Sequence, residues 1–477
     1  MNDKRTYSNP LIERYSSSEM AYVFSPQTKA LAWRDLWIAL AEAQAELGLP
    51  ITRKQIRAMK KNRDDIDFDY IRKKEKEIRH DVMAHVHDFC RAAPEASSII
   101  HLGATSAYIG DNADVIQIRE ALEIVLDRLT DAMRSLIRFI KRYKDMPILS
   151  YTHFQPAQPS TMGKRAALWL QDLQMDYENL SFAHECLKFR GVKGTTGTQD
   201  SFLKLFNGST AKVEKLDRMV TRKMGFKKSF TITGQTYPRK LDHVITSALS
   251  GFAQSAHKFG NDVRLLSHLR ELEEPFRDKQ VGSSAMAYKK NPMRSERLCS
   301  LARFIIQSAG NTSYTAALQW FERTLDDSSN RRLVIPESFL AADAALILYT
   351  NITDGMRVHD KIVRARLDKE LPFMMTETII MEGVKAGMDR QKLHEAIRVY
   401  SREAVNEVYS GRENDMLERI AADPIFSSIV EKLKEMSEPE KYTGMSARQA
   451  EQMVREVTET ILRRHRKKSR LSSDLRV

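Results

Sequence analysis

The chain has 477 residues, of which 42% are hydrophobic and 29% are charged, and its formal net charge is +13. This composition is typical of a globular protein, and the length predicts about three domains of roughly 150 residues each. It has no run of about eighteen apolar residues and no apolar N-terminal segment, so we expect neither a membrane span nor a secretory signal.

Three cysteines stand far apart in the chain, at Cys90, Cys186 and Cys299. So few cysteines in a chain of this length predict a reducing compartment and no disulfide framework. We therefore expect a cytoplasmic protein.

Residues 1–110 predict a small helical domain, because apolar side chains at Leu31, Leu36, Trp37 and Leu40 recur at helical spacing. Strand signals are weak along the whole chain, although short segments such as Ser229–Thr233 could pair locally. The fold class predicted from these patterns is all-α.

A histidine-rich segment follows at Arg79–His87, with Cys90 just beyond it. On one continuous helix His80 and His87 would share a face and His85 would point elsewhere, so one metal ion could not gather all three. We therefore predict no metal site. A single histidine with an acidic neighbour is better suited to orienting a carboxylate or to acting as an acid.

The turn at 101–106 places the hydroxyls of Thr105 and Ser106 ahead of a long apolar-periodic stretch. Hydroxyls and backbone N–H groups in such a turn can bind a carboxylate or a phosphate. An ordinary helix cap has the same sequence, and the residues alone leave both interpretations open.

Long helices dominate the middle of the chain. From Asn112 to Lys144 there is no Gly or Pro, which predicts a helix of about 33 residues, roughly 50 Å long, with Asp111–Asn112 as its cap. Stretches at 239–274 and 292–325 predict two more. Helices of this length need a bundle or other protomers to cover them, so we predict a central bundle domain at 111–360 in an oligomer. Shorter helices predict a C-terminal domain at 361–477.

Two polar segments interrupt these helices. In Tyr151–Pro159, the prolines after His153 predict an imidazole held on a rigid loop, as a general acid or base requires. In 191–199 the glycines fit neither a dinucleotide-binding turn nor a P-loop. A flexible loop whose backbone can approach a ligand is the prediction there.

The segment Gly282–Pro292 reads GSSAMAYKKNP and precedes an amphipathic helix. Ser283 does not lie in a G-x-S-x-G turn, so it is a poor candidate for an acyl-enzyme nucleophile. A serine base needs a stabilised alkoxide, and Lys289 together with the N-terminus of the helix near Met293 could supply the positive field. Gly282 predicts a hinge.

This segment resembles the GSSxMPxKxNP signature of the fumarase/aspartase superfamily, whose members release fumarate. Further segments (RYSSSEM, RHDVMAHVH, HLGATS, THFQPAQP, GVKGTTGTQ and MRSERLCSLAR) are similar to the adenylosuccinate lyase family within it, close to the animal members. The resemblance extends over nearly the whole chain. One departure is Ala287, which stands where the signature has Pro and leaves the stiffness of the loop in question.

The resemblance implies an all-α, three-domain protomer with a fumarase/aspartase-like fold. Its central long-helix bundle would be shared in a homotetramer, with each active site built from three subunits. The implied reactions convert adenylosuccinate to AMP and SAICAR to AICAR, each with release of fumarate. Neither reaction would need a metal or an organic cofactor.

The resemblance also implies residue roles. Ser283 would be the base that removes the succinyl Cβ proton, and His153 the acid that protonates the departing nitrogen. Lys289 would stabilise the aci-carboxylate intermediate, His80 would orient the substrate, and Glu296 would stand among the charged groups nearby. Substrate contacts would come from Arg14, Tyr15, Arg79, His80, Asp81, Thr105, Ser106, Gln235, Arg297, Arg323, Ser328 and Arg332.

Two alternatives stay open. A sister lyase would act on argininosuccinate, fumarate or aspartate, although Arg14–Tyr15 and Arg79–His87 favour a nucleotide. A non-catalytic scaffold would bind nucleic acid through the basic tail Arg463–Arg470, which lacks aromatic residues for stacking. Since Ser283 and His153 are both present, we expect an enzyme with small-molecule nucleotide substrates and with neither a nucleic-acid nor a membrane partner.

Overall fold

The computed structural model describes residues 5–277 and 279–465, and this part of the chain is mostly helical. The predicted basic tail lies outside the described residues from 466 onward. The longer helices are α2 (Pro26–Glu46), α6 (Ser106–Tyr143), α7 (Met162–Glu185), α10 (Lys240–His268), α11 (Met293–Ala317), α12 (Asp326–Gly355) and α15 (Arg390–Tyr409).

Shorter elements connect these helices. They are α1 (Ser18–Val23), α3 (Arg53–Lys61), α4 (Phe68–Ile78), α5 (Asp81–Ala92), α8 (Asp200–Leu205), α9 (Thr210–Lys223), α13 (Asp360–Met374), α14 (Thr376–Lys385), α16 (Met416–Ala422), α17 (Val430–Met436) and α18 (Ser446–Thr460). Within the described residues, four strands form two small antiparallel pairs, β1 (Pro147–Thr152) with β2 (Gln155–Thr161) and β3 (Leu272–Glu273) with β4 (Arg357–Val358).

Helix α6 is 38 residues long and begins at Ser106, six residues earlier than predicted. The predicted cap at Asp111–Asn112 is therefore wrong, because both side chains lie buried inside the helix. Asp111 accepts a hydrogen bond from the backbone N–H of Tyr237 at 2.7 Å, and Asn112 donates to the carbonyl of Gly191 at 3.2 Å. These two polar side chains form hydrogen bonds with distant segments of the chain and do not cap the helix.

The other two long stretches are also helical, but the predicted limits are longer than the helices. Helix α10 ends at His268 and α11 ends at Ala317, and an irregular segment separates α11 from α12. Gly260 brings α10 and α11 close together, because a Cβ there would lie only 2.7 Å from the Sγ of Cys299.

Helices α6, α7, α10, α11 and α12 pack against one another and enclose the main hydrophobic core. Helix α12 is long and apolar enough to span a membrane by length and composition alone. Of its most apolar window, however, 78% is buried inside the fold. Its apolar character is that of a central core helix.

The C-terminal segment contributes to two cores. Side chains from Leu371 to Met436 form a separate hydrophobic cluster within α13–α17. Helix α18 instead returns to the bundle, where it packs on α7 and α6 with Ala450, Val454 and Val457 buried.

The hairpin of β1 and β2 was not predicted, because Pro147, Pro156 and Pro159 obscured the strand pattern. Proline is compatible with an edge strand, and both strands of a two-stranded hairpin are edges. Thr152 pairs with Gln155, so the turn consists of the two residues between them. The weak signal at Ser229 corresponds to a single bridge to Phe189.

A row of apolar side chains on α7 is exposed in the single chain. Leu168, Met175 and Phe182 are 47%, 57% and 63% exposed and follow one another at intervals of seven residues. Such a heptad row is the seam by which helices pack against helices of another chain.

Candidate active site

A charged cleft of about 760 Å³ opens between the N-terminal helices and the central bundle. It contains side chains from α5, from the start of α6, and from the segment around the start of α12. Nine of the residues predicted to contact substrate line this one cavity: Arg79, His80, Asp81, Thr105, Ser106, Gln235, Arg323, Ser328 and Arg332.

The histidine-rich segment is broken where it meets the cleft. Helix α4 ends at Ile78, Arg79 adopts a left-handed conformation with φ 56°, and His80 caps the next helix, α5. The assumption of one continuous helix was therefore wrong, and the break turns Arg79 and His80 towards the cavity. Within the described ranges, no three His, Cys, Asp or Glu side chains come together so that they could hold a metal ion.

The hydrogen bonds of His80 define its tautomer. Its Nδ1 accepts the backbone N–H of Met83 at 3.2 Å, so a neutral ring carries its proton on Nε2. Nε2 lies 3.4 Å from the hydroxyl of Ser106 at the start of α6. His80 thus presents an N–H donor to the cleft beside a hydroxyl.

Asp81 bridges two walls of the cleft, because its Oδ2 accepts a hydrogen bond from Arg332 of α12 at 2.9 Å. Burial alone would raise the pKa of this carboxyl. The backbone N–H of Val82 and the nearby charges of Lys29 and Arg332 outweigh burial and hold the pKa below its ordinary value. Asp81 is therefore an anion at neutral pH and keeps Arg332 at the cavity wall.

A buried ion network forms the floor of the cleft, and sequence reasoning missed it. Arg239 donates to Asp111 at 3.1 and 3.2 Å and to Asp327 at 2.6 Å. Arg331 donates to Asp242 at 2.7 Å and to Asp114 at 2.8 Å. These residues stand far apart in the chain, so local sequence gives no sign that they pair.

This network lowers the pKa of Asp111. Burial would raise the pKa of Asp111, but the guanidiniums of Arg239 and Arg331 lower it below its ordinary value. Arg323 joins the same network through Asp327, with 3.8 Å between Nη2 and Oδ1. The network therefore fixes the segment that carries Arg323 and Ser328.

Gln235 reaches the cleft through a close contact between two loops. Its backbone N–H donates to the carbonyl of Glu322 at 3.0 Å, and a Cβ at Gly234 would lie 2.6 Å from that same oxygen. Glycine at this position lets the loop carrying Gln235 lie against the loop carrying Arg323.

The remaining predicted residues do not line this cavity. Arg14 and Tyr15 lie in a π-helical turn at Leu11–Tyr15, where the guanidinium of Arg297 lies 5.5 Å from the centre of the Tyr15 ring. Glu296 is exposed in the first turn of α11. Within one chain these residues form a second group.

The signature loop forms a third group. Ser283 is partly buried, and its Oγ accepts hydrogen bonds from the backbone N–H groups of Ala285 at 3.3 Å and Met286 at 3.1 Å. Lys289 is exposed, and Lys290 lies 3.3 Å from Glu273. Backbone donors that point at a hydroxyl oxygen favour its deprotonated form.

Gly282 has a structural role different from the predicted hinge. A Cβ there would lie 2.1 Å from the carbonyl oxygen of Lys289, and Asn291 donates to the carbonyl of Gly282 at 2.8 Å. Glycine is needed because the two ends of the loop touch at this point.

The predicted field from the α11 N-terminus is wrong, because a carboxylate already occupies that helix end. Glu274 is buried and accepts hydrogen bonds from the backbone N–H groups of Arg294 and Ser295, each at 2.9 Å. Burial raises the pKa of Glu274, and these same N–H groups oppose the rise. The N-terminus of α11 is therefore not free to stabilise a Ser283 alkoxide, whereas the loop itself offers two N–H donors.

His153 lies at the tip of the β1–β2 hairpin and is exposed. It and Phe154 both have positive φ, at 52° and 59°, which is the conformation of a tight two-residue turn. The hairpin thus fixes the backbone that carries the exposed imidazole of His153.

The glycine loop at 191–199 packs against its own protein. A Cβ at Gly197 would lie 1.9 Å from the carbonyl oxygen of Thr233, and one at Gly191 would lie 2.3 Å from Asp217. Lys193 is buried in an ion pair with Asp217 at 2.9 Å. Gly191 and Gly197 therefore bring protein segments together.

Two family models match the sequence. One is described as lyase and matches residues 13–306, and the other is described as adenylosuccinate lyase C-terminus and matches residues 372–453.

Curated adenylosuccinate lyases are similar over nearly the full chain. That of Saccharomyces cerevisiae is 48% identical over 458 residues and covers 95% of each chain. That of Schistosoma mansoni is 46% identical and covers 94% of this chain and 95% of its own, and that of Caenorhabditis briggsae is 41% identical over 94% of each.

Solved structures share the fold. A 3-carboxy-cis,cis-muconate lactonizing enzyme from Pseudomonas putida matches with a TM-score of 0.82 at 22% identity, over 94% of this chain and 99% of that chain. A fumarate lyase from Mesorhizobium sp. BNC1 matches with a TM-score of 0.79 at 21% identity over the same shares. The predicted all-α, fumarase/aspartase-like fold of the protomer is thereby confirmed.

Proposed function

Because this chain belongs to the adenylosuccinate lyase family, we propose that it eliminates fumarate from adenylosuccinate and from SAICAR with Ser283 as the base and His153 as the acid. The observation that supports the substrate contacts is the cleft, where nine of the twelve predicted contact residues line one cavity; the roles of Ser283 and His153 rest on the family and on their motifs. The enzyme is a fumarate-releasing C–N lyase, and the proposal concerns how its residues perform that reaction.

The cleft matches the charge of such a substrate. Adenylosuccinate carries one phosphate and two succinyl carboxylates, and guanidinium groups such as those of Arg323 and Arg332 bind these anions through paired hydrogen bonds. The Nε2–H of His80 and the hydroxyl of Ser106, 3.4 Å apart, would hold a carboxylate oxygen between them. The substrate is thus oriented without a metal ion.

The reaction begins at Ser283. Its alkoxide takes a proton from the succinyl Cβ, and the electron pair left on that carbon spreads into the adjacent carboxylate as an aci-carboxylate. The N–H groups of Ala285 and Met286 stabilise the alkoxide before the transfer. The ammonium of Lys289 stabilises the doubly charged carboxylate after it.

Cleavage of the C–N bond completes the elimination. The electron pair returns to form the fumarate double bond, and the bonding pair leaves with the nitrogen. The imidazolium of His153 gives that nitrogen a proton, so the products are fumarate and AMP or AICAR. Ser283 ends protonated and His153 neutral, and exchange with solvent restores both.

We propose a homotetramer whose active sites draw residues from three subunits. Two observations support this: the predicted site residues fall into separate groups within one chain, and the heptad row Leu168, Met175 and Phe182 is exposed on α7. Burial of such a row against another chain removes apolar area from water. We further propose a cytoplasmic enzyme that needs no cofactor, consistent with its three free cysteines.

The function is tested by incubating the purified protein with adenylosuccinate and with SAICAR. The absorbance change and chromatography of the released fumarate measure the conversion. We expect both to be cleaved in the presence of a metal chelator, and argininosuccinate and aspartate to be left intact. Cleavage of argininosuccinate alone would identify a sister lyase. No reaction in correctly folded protein would favour the non-catalytic scaffold.

A further inference from the structure

Lys29 is a cation of the cleft to which no role has been assigned. It lies in the first turn of α2 (Pro26–Glu46) and lines the cavity beside Arg79, His80 and Asp81. Its side chain is partly buried. Among residues 5–277 and 279–465, no carboxylate oxygen lies within 4 Å of its Nζ.

Most other cations of the cleft are already paired. Arg239 and Arg331 are buried in the ion network of the floor, Arg332 is paired with Asp81, and Arg323 lies 3.8 Å from Asp327. In the part of the chain that the structure describes, Lys29 and Arg79 are the cleft cations that form no ion pair. An ammonium of this kind is available to an anionic ligand.

The surroundings of Lys29 keep its charge at the cavity wall. Its Nζ lies 4.8 Å from the centre of the Trp33 ring, a cation–π contact that fixes the side chain. The His85 ring packs edge-on against the same indole at 4.7 Å. Burial, and to a smaller extent the charge of Lys29, lower the pKa of His85 to about 4, so His85 is neutral at pH 7.

Lys29 belongs to the N-terminal helices and Arg332 to the central bundle, and the charges of both act on Asp81 of α5. Asp81 is within electrostatic reach of both cations, and both lower its pKa. The two positive charges therefore flank one carboxylate. An anion that enters here can accept hydrogen bonds from Arg332. The positive charge of Lys29 offsets the repulsion between this anion and the carboxylate of Asp81.

We propose that Lys29 is a further phosphate-binding residue, which holds the 5′-phosphate of the substrate together with Arg332. This rests on the proposed function. The phosphate carries more charge than either succinyl carboxylate, and an arginine fork beside a lysine point charge is a suitable pair of ligands for it. Lys29 would therefore contribute to substrate binding and leave the elimination step to other residues.

The test compares adenylosuccinate with its 5′-dephosphorylated nucleoside in wild-type, Lys29→Met and Lys29→Arg enzyme. We expect Lys29→Met to raise KM for the nucleotide about tenfold or more with kcat within about twofold, because a charge-assisted hydrogen bond is lost. KM for the nucleoside should be the same in wild-type and Lys29→Met enzyme. Lys29→Arg should recover most of the affinity for the nucleotide. Lys54→Met, which removes an exposed lysine of α3 outside the cavity, is the matched control.

Three results would overturn the assignment: an unchanged KM for the nucleotide, an equal rise of KM for both substrates, or the same loss in Lys54→Met. Thermal melting identifies a variant that fails to fold, and Lys29→Gln then replaces Lys29→Met. Calorimetric binding of AMP against adenosine gives the same comparison without turnover. If wild-type protein binds AMP more tightly than adenosine, Lys29→Met loses this preference and neither protein cleaves the substrates, the proposed function fails and the phosphate assignment stands.

Discussion

The Oγ of Ser283 lies 3.1 Å from the backbone nitrogen of Met286 and accepts its N–H hydrogen bond. A second N–H, that of Ala285, points at the same oxygen from 3.3 Å. Ser283→Ala removes the atom that both groups stabilise. We expect kcat to fall by about three orders of magnitude or more with KM nearly unchanged, because the role is confined to the transition state.

Ser284→Ala is the control for this prediction, since it removes a neighbouring hydroxyl that is exposed and outside these two hydrogen bonds. Steady-state kinetics of the two variants should differ by at least about a hundredfold in kcat. Near-normal kcat in Ser283→Ala would assign the base to another residue.

Subunit mixing tests whether the site is shared. His153 and Ser283 lie on a hairpin tip and on a separate loop of one chain, and neither lines the cleft. If each site takes these two residues from different subunits, mixed tetramers of His153→Ala and Ser283→Ala contain sites with both residues intact. Random exchange of equal amounts should restore about a quarter of wild-type activity. Activity that stays at the level of the two parents would place both residues in sites formed by a single chain.

The sequence predicted most of the helices because their apolar periodicity is local. It misplaced the start of α6, because Asp111 looks like a cap and is in fact bonded to Tyr237 and Arg239. It also missed the β1–β2 hairpin, because prolines hide the alternation of an edge strand. At α6 a contact with a distant part of the chain outweighed a local preference, whereas in the hairpin the pairing is local and its sequence pattern is obscured.

The site also contains residues that local sequence patterns predict and residues that depend on contacts between distant segments. Residues within recognisable motifs, such as His80 and Ser106, line the cleft as predicted. Arg239 and Arg331 have partners more than 80 positions away, and the capping of α11 by Glu274 requires two segments to meet in space. Lys29 does not lie within a recognisable motif. Only its position in the cavity distinguishes it from an ordinary surface lysine.

The turn that contains Ala287 explains why the signature has proline at this position. The N–H of Lys289 donates to the carbonyl of Met286 at 3.1 Å, so Ala287 is the second residue of a β-turn. Proline is favoured at that position, and Ala287 N–H takes no part in the described hydrogen bonds of the loop. Ala287→Pro should therefore keep kcat within about threefold and slow proteolysis of the loop by restricting its unfolded conformations.

Gly282→Ala is the opposite change in the same loop, since its Cβ would lie 2.1 Å from the carbonyl oxygen of Lys289. We expect it to lower kcat at least about tenfold while the melting temperature of the bundle stays within a few degrees. Faster proteolysis of Ala287→Pro, or normal activity in Gly282→Ala, would contradict this description of the loop.

Asp176 makes stability depend on pH. This carboxyl is buried on α7, its Oδ2 has no hydrogen-bond partner among the described residues, and burial raises its pKa to about 7. The folded protein thus keeps a proton that the unfolded chain loses near pH 4, so stability declines as pH rises from about 4 to about 7.

Asp176→Asn removes the ionisable group and keeps nearly the same shape. It should raise the melting temperature at pH 8, by the equivalent of at most about 4 kcal/mol, and this gain should shrink as pH falls below 7. Glu413→Gln, at an exposed carboxylate, should show no such trend. Melting curves of the three proteins between pH 5.5 and 8.5 test this prediction. An equal rise in melting temperature at every pH would contradict it. Asp176 would then be protonated throughout this range, or the amide would stabilise the fold by packing alone.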